Sequence, residues 1–164
     1  MPRFILACLM LLVPSLSFAA DAPLEKVGTA RLRVLFMNVY DATLYAPGGK
    51  YNADQPHALE LQYLMNFTSD EIVDRSLEEM ADAGALPEAK KAAWKKQLQR
   101  VIPDVKKNDR LRAIVTPGKG MAMRHNGATV GRVADEALVR SFMNIWLGPK
   151  TNEPALRDKL LGKE

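Results

Sequence analysis

Six segments of this chain read as strands and four as helices, and the order of those segments constrains the fold most. Within Thr29 to Tyr45, Leu32, Val34 and Phe36 alternate with Arg31, Arg33 and Leu35. Tyr40, Ala42 and Leu44 then alternate with Val39, Asp41, Thr43 and Tyr45, and Pro47-Gly48-Gly49 ends the unit. Ala58 to Met65 reads as a third strand. The period then changes. Thr68 or Ser69 can cap a helix that begins Asp70-Glu71, carries Ile72, Val73, Leu77 and Met80 on one stripe, and closes at Gly84. Pro87 opens a second helix with Ala93, Trp94, Leu98 and Val101 inward. Strands return at Arg110–Thr116, Gly120–Arg124 and Thr129–Val133, the last two joined by Asn126-Gly127, a strong hairpin signal. Ala134–Leu147 and Pro154–Leu161 are helical. The order βββ-αα-βββ-αα contains no βαβ alternation, so it predicts an α+β fold with an antiparallel sheet backed by helices.

The N-terminus speaks to compartment. Met-Pro-Arg, an apolar run from Phe4 to Val13, and Ser15-Leu16-Ser17-Phe18-Ala19-Ala20 are the three parts of a secretory signal peptide, with small residues at Ser17 and Ala19. The expected domains are residues 1–19 as signal peptide and 20–164 as one folded unit, periplasmic or secreted after cleavage. Pro14 interrupts the run, and no later stretch approaches the ~20 apolar residues of a membrane span. Cys8 is the single cysteine of 164 residues, so neither an internal disulfide nor a cysteine-based zinc site can form within one chain. It lies inside the apolar run rather than after it, which argues against a lipoprotein box.

Twenty-three Lys and Arg against nineteen Asp and Glu give a net charge of +4, too mild to mark a nucleic-acid binder, and no nucleic-acid partner is expected. Lys90, Lys91, Lys95, Lys96, Arg100, Lys106 and Lys107 form one basic stretch. It reads as a solvated helix face, with weak contact to an anionic membrane as the alternative. The two histidines, His57 and His125, have no metal-ligand spacing, so no metal and no cofactor is expected; haem, which needs only one axial ligand and an apolar pocket, remains a lesser alternative. Ser69, Ser76 and Ser141 lack a nucleophile-elbow motif, and Gly118-Lys119-Gly120 lacks the context of a phosphate loop.

The candidate site is Arg31, Arg33 and Tyr40 beside apolar neighbours. If the chain reverses near Met37-Asn38, then Arg33, Leu35, Tyr40 and Ala42 share a sheet face. An arginine fork and a phenol at the edge of an apolar face can hold a carboxylate or an enolate while the rest of a ligand is buried. The simpler alternative puts the arginines on a wet face and Tyr40 in the core.

Gly28-Thr29-Ala30-Arg31-Leu32-Arg33 followed by Val39-Tyr40-Asp41-Ala42-Thr43-Leu44-Tyr45 resembles the bacterial chalcone isomerase-like family. So do Phe142-Met143-Asn144-Ile145-Trp146-Leu147-Gly148-Pro149 and Pro154-Ala155-Leu156-Arg157-Asp158-Lys159-Leu160-Leu161-Gly162. The resemblance covers nearly all of residues 24–162 and implies an open-faced β-sandwich with a ligand cleft between sheet and helices. Plant enzymes of that fold close a chalcone to a flavanone; non-catalytic relatives bind fatty acids, holding the carboxylate with an arginine and a tyrosine. Carried over by position, Tyr40 matches the binding branch, and Arg31 or Arg33 holds the arginine's place with a register one residue off. The enzyme's other polar positions fall near Thr68, Arg75 and Ile145, none of which matches. Together with the N-terminal segment, the resemblance therefore implies an exported protein that binds a small amphipathic, carboxylate-bearing ligand such as a fatty acid without catalysis. An intramolecular lyase of the chalcone isomerase type is the alternative.

Overall fold

The structure, a computed structural model, describes residues 22–163. Residues 1–19, expected as signal peptide, and Cys8 among them lie outside the described residues. The six strands are β1 (Leu24–Val34), β2 (Met37–Pro47), β3 (His57–Tyr63), β4 (Arg110–Thr116), β5 (Gly120–His125) and β6 (Ala128–Val133). They form one antiparallel sheet in sequence order, a meander without crossovers. Four helices complete the fold: α1 (Ser69–Asp82), α2 (Lys91–Val101), α3 (Glu136–Leu147) and α4 (Pro154–Leu160). The α+β architecture expected from the sequence is the one observed, and α2 is preceded by a single 3₁₀ turn over Glu88–Lys90.

Local chemistry sets the helix starts. Thr68 caps α1 through a capping box: its side chain accepts from the Glu71 amide while the Glu71 carboxylate accepts from the Thr68 amide at 2.7 Å. Asp135 caps α3, accepting from the amides of Ala137 and Leu138, and also accepts from Trp94 Nε1 at 3.0 Å, which ties α2 to the start of α3. Ala42, Leu44, Leu59 and Ala113 on the inner sheet face pack with Val73, Met80, Leu98 and Leu138 of the helices in one core. Ala93 departs from expectation. It is exposed, and Trp94, Leu98 and Val101 alone form the buried stripe of α2.

The end of α4 rests on β1 at Gly28. A Cβ there would lie 2.1 Å from the Lys159 carbonyl oxygen, so only glycine admits this approach. His57 is also tightly placed: it is 2% exposed, its Nδ1 lies 2.8 Å from the Gln55 carbonyl, and its Nε2 has no partner. Burial pushes its pKa below the ordinary value.

Two outcomes are expected. Gly28→Ala meets backbone rather than a movable side chain and lowers stability by about 1–3 kcal/mol or more in denaturant titration. For His57 the unfolded chain binds its proton first, so stability is full above about pH 6.5 and declines as pH falls through that value. His57→Gln removes that part of the slope in unfolding midpoints measured across pH 5–8.

Candidate ligand-binding site

Between the inner face of β1–β4 and the helices α1, α3 and α4 lies a cavity of about 520 Å³. That is within the ~300–1,000 Å³ of ordinary ligand pockets. Its walls are mainly apolar: Leu32, Leu61 and Leu111 from the sheet, Ile72 from α1, Phe142 from α3 and Leu156 from α4. Val34, Met37, Arg75 and Glu153 line it while remaining exposed, and so mark where it opens.

Tyr40 reaches this cavity because of the hairpin that carries it. The chain reverses at Leu35-Phe36, two residues before the expected turn, so Arg33 stands opposite Asn38 and Val34 opposite Met37. Leu32 is then paired with Tyr40, which leaves Val39 as an extra residue on β2. This bulge moves Tyr40 onto the inner face with Leu32. Asp41 comes to face Arg31 on the outer side.

The expected trio is thereby divided. Tyr40 lines the cavity; Arg31 and Arg33 do not. Arg31 is held by Asp41 in a two-pronged pair, Nε to Oδ1 at 2.6 Å and Nη2 to Oδ2 at 2.8 Å. The hydrogen bond from Arg31 keeps the Asp41 carboxyl below its usual pKa. Arg33 Nε donates to Asn38 Oδ1 at 2.9 Å. Asn38 suggested a turn from sequence and is instead a cross-strand partner. The expectation that Arg33 and Tyr40 share a face is corrected: the bulge at Val39 turns the tyrosine to the other side.

Other side chains meet Tyr40. Trp146 Nε1 donates to Tyr40 Oη at 2.8 Å, occupying one acceptor site and leaving the phenolic proton free to donate elsewhere. The Tyr63 ring packs edge-on against Tyr40, with centroids 5.9 Å apart. Burial raises the Tyr40 pKa well above its ordinary value, so the phenol is neutral at physiological pH. It is a hydrogen-bond donor there and not a base.

The cation at the cavity is Arg75 of α1, paired with Glu78 and Glu79. Glu71, Glu79 and Glu153 also line the cavity. Glu71 is spent on the helix cap, and Glu79 also accepts from Asn152 Nδ2 at 2.7 Å. Ile72, Arg75, Ser76 and Glu79 are spaced i, i+3, i+4 and i+7, one strip of α1 beside its fully buried stripe. That mixed strip is the signal that could have found Arg75. The contact of Tyr40 with Trp146 spans 106 residues and has no local signature. Of the positions aligned with the enzyme's polar groups, Thr68 is turned to its cap, while Arg75 and Ile145 stand in the cavity wall.

Neither histidine reaches this cavity. His57 borders a separate pocket of about 100 Å³ with Tyr51 and Arg140, and His125 Nε2 lies 2.9 Å from Asp109. Among the described residues no group of His, Cys, Asp and Glu is arranged to hold a metal ion. Among them, too, no helix is long and apolar enough to cross a membrane. In the basic stretch, Lys95 pairs with Asp74 at 2.7 Å and Lys90 lies over the Trp94 ring; Lys106 and Lys107 sit in the loop before β4.

A meander sheet with helices on one face and a cavity between the layers is the architecture the resemblance implied. The sequence pattern of the chalcone isomerase-like family matches residues 16–162, and the chain belongs to that family. It is 26% identical over 157 residues to an uncharacterized protein of Haemophilus influenzae, across 93% of this chain and 77% of that one. Its fold is similar to the crystal structure of an Arabidopsis thaliana fatty-acid binding protein, with a TM-score of 0.69, 15% identity, and coverage of 87% of this chain and 90% of the other.

Proposed function

We propose that this protein binds a single-chain amphipathic ligand, of which a fatty acid is the type, in the cavity between sheet and helices. The observation that carries this reading is a mainly apolar cavity of about 520 Å³ lined by the Tyr40 phenol, which Trp146 holds by a hydrogen bond. The similarity in fold to a fatty-acid binding protein supports it. In this reading the tail lies along Leu61, Leu111 and Phe142, and a head-group oxygen accepts the Tyr40 phenolic proton. Trp146 fixes the orientation of that phenol by donating to it. Arg75, beside Glu79 at the opening, supplies the cation that the resemblance had assigned to Arg31 or Arg33. We also propose that residues 1–19 direct export, so that the ligand is met in the envelope or outside the cell.

Titration of a fatty acid and the alcohol of equal length tests the site. Tyr40→Phe weakens both ligands by about two- to tenfold, the loss of one neutral hydrogen bond. Arg75→Ala weakens the acid by about ten- to a hundredfold and the alcohol little, because a charged hydrogen bond is worth roughly 1.5–3 kcal/mol. Arg31→Ala and Arg33→Ala leave both affinities unchanged. Absence of saturable binding for either ligand overturns the reading, and equal losses of acid and alcohol in Arg75→Ala remove the anchor.

Export is tested separately. Sequencing the mature protein from its own host finds an N-terminus at Ala20; an unprocessed chain in the cytosolic fraction overturns that part.

A further inference from the structure

The β1–β2 hairpin ends in four consecutive apolar residues, Val34-Leu35-Phe36-Met37, and none of them is buried. Phe36 is 102% exposed, Leu35 86%, Met37 49% and Val34 46%. Single apolar side chains are ordinary on a protein surface; a run of four at a projecting tip is not. The backbone makes the choice more telling. Leu35 has φ 56, a conformation in which a bulky side chain is costly and glycine or asparagine is not. The β5–β6 turn meets the same demand cheaply, with Asn126 at φ 49 and Gly127 at φ 87. Folding alone gives no reason for leucine and phenylalanine here.

We infer that this tip is a membrane anchor: Leu35 and Phe36 enter the interfacial layer of a lipid bilayer and bring the cavity opening to it. Two observations favour lipid over another occupant. Val34 and Met37 belong both to the tip and to the cavity wall, so apolar surface runs from the tip into the cavity without a polar break. The groups around it suit an anionic surface. Arg33 stands at the base of the tip, and Lys106 and Lys107 lie in the loop at the same end of the sheet. That end is fixed by the Asn108 amide donating to the Tyr63 carbonyl at 2.7 Å, Tyr63 being the partner of Tyr40. Of the carboxylates nearby, Asp104 accepts from the Ser69 amide and Asp109 from the Lys106 amide and Asn126, while Glu153 stands exposed at the cavity opening, just before α4 and not on the basic groups' own loop and strand. Basic residues flanking an inserted apolar tip add attraction to anionic lipid.

Loading the cavity from the bilayer rests on the ligand-binding reading above; anchoring does not. The full-length chain with Phe36→Trp tests the anchor. The wild type carries two tryptophans, Trp94 and Trp146, whose emission is the background, and the N-terminal apolar segment common to every chain contains none. With vesicles of phosphatidylcholine and phosphatidylglycerol, the added emission shifts to the blue and is quenched when the acyl chains are brominated. Pure phosphatidylcholine weakens partitioning by about fivefold for each basic residue that meets the surface. Adding Leu35→Gly weakens it by about tenfold or more while relieving backbone strain, so a loss does not reflect misfolding. Added emission that vesicles leave unchanged overturns the anchor. A blue shift that grows with protein concentration in the absence of lipid also overturns it and assigns the tip to a second copy of the chain. Titrating a soluble short-chain fatty acid into the Leu35→Gly variant separates the two readings. Wild-type affinity there supports a tip distinct from the cavity, altered affinity overturns that distinction, and no binding in any chain removes the cavity reading while the quenching still decides the anchor.

Discussion

One inserted residue decides which face of the sheet presents Tyr40. Without Val39 as a bulge, strict pairing beyond Arg33 and Asn38 would place Tyr40 opposite Arg31 on the outer face. An arginine and a phenol would then share a wet surface with no cavity beneath them. The extra residue turns Tyr40 inward to meet Trp146, and gives Arg31 the Asp41 carboxylate in its place. The two faces of the β1–β2 pair consequently carry different chemistry. Outside, Arg31–Asp41 is a largely exposed pair worth at most ~1 kcal/mol. Inside, the same strands supply an apolar wall with one fixed donor.

The element order was legible because period-two and period-3.6 patterns alternate in clean blocks and the turn chemistry between them is strong. Strand β4 has the bounds its alternation predicts, and Asn126-Gly127 forms the expected turn with both residues at positive φ. Strand β1 was less legible at its start. Leu24 to Lys26 are paired with β2, although Glu25 and Lys26 break the apolar pattern. Backbone pairing at a sheet edge does not require buried side chains.

The candidate site was legible in one residue of three, for a physical reason. Turn propensity assigns reversals to residues that tolerate positive φ, and Leu35-Phe36 contains none, whereas Asn38 two residues later is such a residue. A turn misplaced by two residues leaves the parity of the strand unchanged, but the bulge does not, and a bulge of valine has no sequence signal. Arg75 was hidden differently. On a helix, an arginine flanked at i+3 and i+4 by Glu78 and Glu79 has the pattern of a solvated ion-pair face. Only the neighbouring strip of Ile72 and Ser76, read together with it, points toward the sheet.

What holds the cavity open follows from these placements. A void forfeits the dispersion contacts of its lining, so inward movement of the helices is favoured unless something opposes it. Here the sheet side presents Tyr40 and Tyr63 edge to edge, and α3 presents Trp146 joined to Tyr40 and stacked edge-on with Phe142 at 5.2 Å. Rings held by a hydrogen bond and by edge-on contacts resist the rearrangement that closing the space would require. Collapse of α1 toward the sheet would also carry Arg75 and Glu79 into an apolar space, where the desolvation of a charged pair exceeds what their mutual attraction returns. The charged residues on the α1 strip therefore act as a stop, and the aromatic pair as a strut. The opening between them faces the hairpin whose turn leaves Leu35 and Phe36 in solvent.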